Sequence, residues 1–328
     1  MDELVLTKKE LQSRLNSLKI NPDGLQTRKY GVTTKYFIGK EESIDKRIDY
    51  EAVIKLHVNN GTGELEVGKE NVYFNQHAPD SISEIIADSI RKSLYPVKVN
   101  INEKGIVSEE INNYKEIIER WRSHKNNLLE KYKSDEFDYF LKITDNKFYD
   151  KKQLQKSLNY DWFWNLLSHP KFINYGDKRV VETDLHLAVI PFQNPIKFSG
   201  VQKIEKIPTD YHSFIINFKS DELKAPSFFY PKNREFGFPL MMSLDVTFDL
   251  DVYHHFPMHT RANFEVYYLN GNEKELFLKA LFTMYQLGNE EYKDKKLSDD
   301  SPFITGGLVK LPPNKWGFDN HENLENDW

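Results

Sequence analysis

Residues 245–261 read DVTFDLDVYHHFPMHTR and hold three aspartates, three histidines and an arginine. With a strand's period of two, Leu244, Val246, Phe248, Leu250 and Val252 fall on one face. Asp245, Thr247, Asp249, Asp251 and Tyr253 fall on the other. The run that follows, TRANFEVYYLNG, alternates in the same way. It sends Ala262, Phe264, Val266 and Tyr268 inward and Arg261, Asn263, Glu265 and Tyr267 outward. Two such strands predict an antiparallel hairpin with one buried and one wet face. If the turn centres on Pro257, Asp251 lies opposite Asn263, with Arg261 diagonal to it, and the histidines gather at a polar tip.

Upstream of this hairpin the period of two continues in RVVETDLHLAVIP, IKFSGVQKIEKI and YHSFIINFK, all of which read as strands. DELKAPSFFYPKNREFGFPL (221–240) has three prolines and four phenylalanines and reads as an extended, partly buried loop. Downstream, NEKELFLKALFTMYQLG (272–288) reads as an amphipathic helix that Gly288 ends. The first part of the chain repeats the β character. RKYGVTTKYFIG, DYEAVIKLHV and GELEVGKENVYF form an expected meander, with Ala52, Ile54, Leu56 and Val58 on one face and NNGTG as the turn.

A capping box at 81–84 (SISE) opens a helix carrying Ile82, Ile85, Ile86 and Ile90. YPVKVNINEKGIV then predicts a hairpin in which Gly105 takes a positive φ. Asn113 and Glu116 are expected to cap a long helix with Tyr114, Ile117, Ile118, Trp121, Leu128, Leu129 and Tyr132 at helical spacing. Further helices follow around 135–145 and from Asp150. A short first helix is expected from the Thr7/Glu10 box, with Leu11, Leu15 and Leu18 on one face. The run from Tyr95 to Trp121 resembles a hairpin-then-helix segment of various bacterial proteins, and what it shares is structural.

The fold class expected is therefore α+β: antiparallel β-sheets flanked by a helical middle region and a C-terminal helix, with an irregular tail. Residues 1–176 and 177–288 form either two regions or a single domain whose two sheets are continuous, and 289–328 form the tail.

A chain of 328 residues can bury a core without staples. It has no cysteine, which removes disulfides, thiolate zinc sites and cysteine nucleophiles together. A net charge of −5 argues against a general nucleic-acid binder. No apolar run of about 18 residues occurs, and the start lacks a signal-peptide pattern, so a soluble cytoplasmic protein outside any membrane is expected.

Two chemistries fit residues 245–261. Imidazole and carboxylate are common divalent-metal ligands, so His254, His255 and His259 with Asp249 or Asp251 make a candidate metal site for a hydrolase. However, Pro257 interrupts the spacing between His255 and His259, and adjacent histidines on a strand point apart. The competing reading is a polar hairpin tip. Nucleotide-binding and serine-hydrolase motifs are absent, and no cofactor is expected. Trp162, Phe163 and Trp164 could form a stacking platform, but at helical spacing they read as core.

The favoured function is a non-enzymatic module that binds another protein, as an adaptor, chaperone or immunity factor would. Its candidate surface residues are Phe228, Phe229, Tyr230 and Phe236 in the aromatic loop, Asp249, Asp251 and Arg261 on the hairpin, and Trp316, Phe318 and Trp328 in the tail. The metal-dependent hydrolase and a binder of a small apolar ligand are the alternatives.

Overall fold

The structure is a computed structural model, which describes residues 19–21, 27–39, 44–59, 62–190, 194–205, 213–230, 239–270 and 273–287. The expected first helix, the tail with Trp316, Phe318 and Trp328, and Phe236 lie outside these residues.

The β-rich ends of the chain share one antiparallel 12-stranded sheet. The N-terminal strands are β1 (Thr27–Ile38), β2 (Ile44–Asn59), β3 (Thr62–Phe74), β4 (Val97–Ile101) and β5 (Val107–Ile111). The C-terminal strands are β6 (Val180–Leu187), β7 (Ile196–Ile204), β8 (Ser213–Ser220), β9 (Leu223–Lys224), β10 (Met241–Asp251), β11 (Pro257–Asn270) and β12 (Glu273–Leu287). Their order is β5-β4-β3-β2-β1-β12-β11-β10-β8-β7-β6, with β9 beside β10. The pairing of β1 with β12, from Lys29↔Leu287 to Ile38↔Leu278, joins the two halves.

Residues 273–287 are thus a strand at the middle of the sheet, not the closing helix that their Glu, Lys, Leu and Ala content suggests. Ala280, Phe282 and Met284 are buried at every second position. The outer positions between them carry Leu281, Thr283 and Tyr285, so apolar residues fall on both faces and imitate a helical stripe. Pairing on both sides, with β1 and with β11, overrides the local preference for helix.

Among the described residues the helices are α1 (Ile82–Leu94), α2 (Tyr114–Lys131), α3 (Asp135–Tyr149), α4 (Lys151–Leu158) and α5 (Trp162–Ser168). The expected capping box opens α1, with Ser81 and Glu84 bonded reciprocally. Asn113 does not cap α2. Its side chain instead accepts from the Lys98 N–H at 2.9 Å and donates to the Pro96 carbonyl, tying the helix to β4. Gly105 has a φ of 74°, as the β4–β5 turn requires.

The short helix α5 plugs the inner face of the sheet. Trp162, Phe163 and Trp164 are all buried, so they are core and not an exposed platform. Trp162 packs on Phe282 with ring centroids 6.3 Å apart and donates to the Ala188 carbonyl. Phe163 meets Tyr50 edge-on, and the Trp164 indole donates to the Tyr95 hydroxyl at 2.8 Å. Farther out, α3 packs on α2 through Trp121 stacked on Phe148 at 4.5 Å. The Trp121 indole donates to Asp145. Phe137, Leu141, Thr144 and Phe148 form the buried stripe of α3, with the 3.6-residue period a one-sided helix needs.

Candidate functional site

The hairpin of β10 and β11 exists, but its register and turn differ from the expectation. Asp245 is opposite Asn263, Thr247 opposite Arg261 and Asp249 opposite His259, and the register shifts beyond Asp249. Asp251 therefore does not face Asn263. The turn spans 252–256, and Pro257 begins β11 instead of centring the turn.

The tip is also buried: Asp251, His254 and His255 are 1%, 1% and 4% exposed. Asp251 organises it. One carboxylate oxygen accepts from the backbone N–H groups of Tyr253 and His254 at 2.9 and 2.6 Å. The other accepts from the Phe256 N–H at 3.1 Å and from the Arg28 guanidinium at 2.9 Å. Burial would raise this carboxyl, but the Arg28 charge, His254 and these hydrogen bonds hold it below its ordinary value. Arg28 also donates to the carbonyls of Phe256 and Pro257, and the Tyr30 hydroxyl donates to Pro257 at 2.6 Å. Asp251 is thereby built into the protein and is not part of a wet surface.

The histidines are similarly engaged. The imidazole Nδ1 of His254 lies 3.1 Å from the Asn21 carbonyl and that of His255 2.6 Å from the Lys19 carbonyl. A carbonyl only accepts, so each ring carries a proton on Nδ1. His255 has a φ of 54°, a left-handed conformation strained for a non-glycine residue. Its N–H donates to the Asp251 carbonyl, which helps hold that turn. His259 and Asp249 are opposite each other across the strands and half-buried, with Asp249 close enough to feel the Asp251 charge. The five metal-ligand candidates are thus divided between a buried turn and a cross-strand pair.

Among the described residues, three ligand groups come within 4.8 Å of one another at His77, Asp80 and Glu84. Glu84 spends its carboxylate on the backbone N–H groups of Asp80 and Ser81. The cluster lies at the amino end of α1, where the helix dipole disfavours a cation.

Beneath the hairpin lies a polar network that the sequence reading missed. His169 Nε2 is 2.6 Å from Gln202 Oε1, and Gln202 donates to the Tyr175 hydroxyl at 2.6 Å. The buried Lys171 amine donates to the carbonyls of Leu166, Leu167 and His169 at 2.9, 2.9 and 3.0 Å, capping the carboxyl end of α5. It also lies 4.7 Å from the centre of the Phe248 ring. Burial lowers the Lys171 pKa to about 7. Burial, helped by the Lys171 charge, lowers that of His169 to about 3. The space between this network and His255 is about 10 Å³, the room of one water and too little for an apolar ligand.

The His169 shift has a testable consequence. Its folded pKa lies below its unfolded value of about 6.5, so between pH 6.5 and 3 the unfolded chain binds a proton that the folded chain refuses. Stability is therefore lost as the pH falls through that window, by about 1.4 kcal/mol per unit from this group. His259, lowered to about 4 by burial and by Arg261, acts in the same direction. Asp249, raised to about 6 by burial, opposes it between its unfolded value and 6. Replacing His169 by glutamine is expected to flatten the urea midpoint against pH between 6 and 4. An unchanged slope would show that the ring takes up its proton in the folded state.

Elsewhere, an open groove of about 640 Å³ runs beside β3 and α1. Its charged walls are largely neutralised internally, through Lys55–Glu66 at 2.8 Å and Asp88 with Arg91 and Lys92 at 2.7 and 2.6 Å. On its inner side Lys69 pairs with Asp161 inside a cage of Tyr50, Tyr95 and Phe163 rings.

Of the residues expected to contact a partner, Arg261 is exposed and Phe228 is 47% exposed. Phe229 is buried against Phe264, and Tyr230 is half-buried with its hydroxyl accepting from the Leu240 N–H. The apolar surface that the sequence reading overlooked is on α3. Tyr139 and Ile143 are 68% and 39% exposed on the side away from the Phe137/Leu141/Phe148 stripe, and Phe140, 38% exposed, borders it. Among the described residues no helix is long and apolar enough to cross a membrane.

No family model matches the chain, and no curated protein matches it. Among solved structures, it is similar to lipovitellin, in a structure concerned with lipid–protein interactions, at 9% identity and a TM-score of 0.41. That match covers 88% of this chain and 28% of the lipovitellin chain, so the protein spans little more than a quarter of that structure's length. The dehydratase domain from the CurJ module of the Curacin polyketide synthase matches at 9% identity and a TM-score of 0.12, over 78% of this chain and 75% of its own. A second CurJ dehydratase structure, an inactive mutant with a bound compound, scores 0.13 over the same coverage at 9% identity. At these scores none of the three carries an argument about function.

Proposed function

We propose that this protein is a binding module that engages another polypeptide through the solvent face of α3. The observation that carries this reading is the pair Tyr139 and Ile143, two large apolar side chains one turn apart on the outward face of a helix whose opposite face is already buried, with Phe140 exposed at the border between the two faces. A contiguous exposed apolar patch costs solubility unless something covers it, and aromatic residues are the usual anchors of protein interfaces. The hairpin supports the same reading from the other side. Asp251, His254 and His255 are committed to holding a turn, which leaves them little freedom to meet a substrate.

A Tyr139→Arg substitution tests this. At 68% exposure the residue contributes little to the core, so the thermal midpoint is expected to stay within a few degrees of wild type. Affinity for a polypeptide captured from the native cell is expected to fall by about 2 kcal/mol or more, roughly thirtyfold. Recovery of the same polypeptides in the same amounts by both proteins would reject the α3 surface.

A further inference from the structure

We infer that the occupant of the α3 face is a second copy of this chain, packed helix to helix in antiparallel fashion about a twofold axis beside Tyr139. This rests on the reading of α3 as a binding surface and names its partner. The argument is one of charge complementarity along a single helix. Asp135, four residues before Tyr139, and Lys142, three residues after it, are both exposed. At 100° per residue they stand about 40° and about 60° from Tyr139, on the same flank. Along the axis they lie about 6 Å before and about 4.5 Å after it.

A twofold axis perpendicular to the helix and lying in the contact plane keeps each flank and reverses direction. It therefore sets Asp135 of each copy against Lys142 of the other, twice by symmetry. Tyr139 meets its own mate at the centre. On the opposite flank, Glu136 at about 60° faces Ile143 at about 40°, so the methylenes of the glutamate cover the isoleucine. A parallel arrangement about an axis along the helices exchanges the flanks and would instead oppose Asp135 to Glu136 of the other copy, like charges, and Lys142 to the apolar Ile143. The sequence of this one face is therefore self-complementary in the antiparallel sense alone.

A contact confined to one 15-residue helix lies at the small end of interface sizes. The association expected is weak, with a Kd on the order of 10 µM. Sedimentation velocity of the full chain from about 1 to about 100 µM covers that range. Wild type is expected to move from the 38.8 kDa monomer towards twice that mass. Tyr139→Arg is expected to remain monomeric, as is Lys142→Glu, which places a glutamate against Asp135. Combining Asp135→Lys with Lys142→Glu restores the charge pairs, and with them the dimer.

A wild-type protein that stays monomeric throughout overturns the inference. So does a dimer that persists in Tyr139→Arg, or one lost in Lys142→Glu that the charge swap does not restore. If wild type is monomeric while Tyr139→Arg still loses a captured polypeptide, only the second copy is rejected and the α3 surface stands. If neither changes, both fail.

Discussion

An Arg28→Met variant is expected to lose about 3–5 kcal/mol of folding stability, because the substitution leaves the Asp251 carboxylate buried without its counter-charge. Both side chains are 1% exposed, and the guanidinium lies 2.9 Å from the carboxylate. The carboxylate in turn receives three backbone N–H groups of the turn at 252–256. Removing the charge therefore weakens the turn, the start of β11 and the seating of Lys19 and Asn21 together. The pH dependence gives a second signature. Without Arg28, burial raises the Asp251 pKa above its unfolded value, and such a group favours the folded state as pH falls. The deficit of the variant, measured by urea unfolding, should be larger at pH 7 than at pH 5. A cost below about 1 kcal/mol would place the pair among surface ion pairs of little consequence.

Replacing Phe282 by alanine is expected to cost about 3–5 kcal/mol, the range for deleting a buried aromatic side chain. Phe282 is 1% exposed and packs on Trp162, so it couples the middle of the sheet to α5. The neighbouring Leu281, half-exposed on the outer face, should cost well under half as much when changed to alanine. Ala280, Phe282 and Met284 belong to one face and Leu281, Thr283 and Tyr285 to the other, so sensitivity should alternate. A helical period of sensitivity over these residues, with Leu278, Leu281, Phe282 and Tyr285 grouped, would contradict the placement of β12.

Much of the fold is legible because periodicity reports one-sided burial. The meander of β1 to β3, the β4–β5 hairpin, the boxed start of α1 and the strands β6, β7, β8, β10 and β11 all follow from it. It fails where both faces of a strand are apolar, as in β12, because alternation then disappears and only composition remains. It also fails at the β10–β11 turn, where the Asp251 side chain is claimed by a residue more than two hundred positions away.

Two buried cations were nevertheless visible as anomalies of parity. Arg28 shares a face with Tyr30 and Val32, and Lys69 shares one with Leu65 and Val67, each a charge among inward-facing residues. Their partners Asp251 and Asp161 could be found only in three dimensions. The α3 surface was hidden for another reason. Tyr139, Phe140 and Ile143 lie within a helix that already carries a full apolar stripe, and composition does not say which stripe is covered. The hairpin drew attention because it concentrates ionisable groups, yet in the fold those groups are spent on structure.

The most direct measurement compares polypeptide capture by wild type, by Tyr139→Arg and by Asp249→Asn combined with Arg261→Ala, all confirmed to be folded. Loss of capture in the α3 variant alone, with capture retained by the hairpin variant, is the result predicted. Capture retained by Tyr139→Arg and lost in the hairpin variant would return the binding surface to the outer face of β10 and β11 and contradict the account.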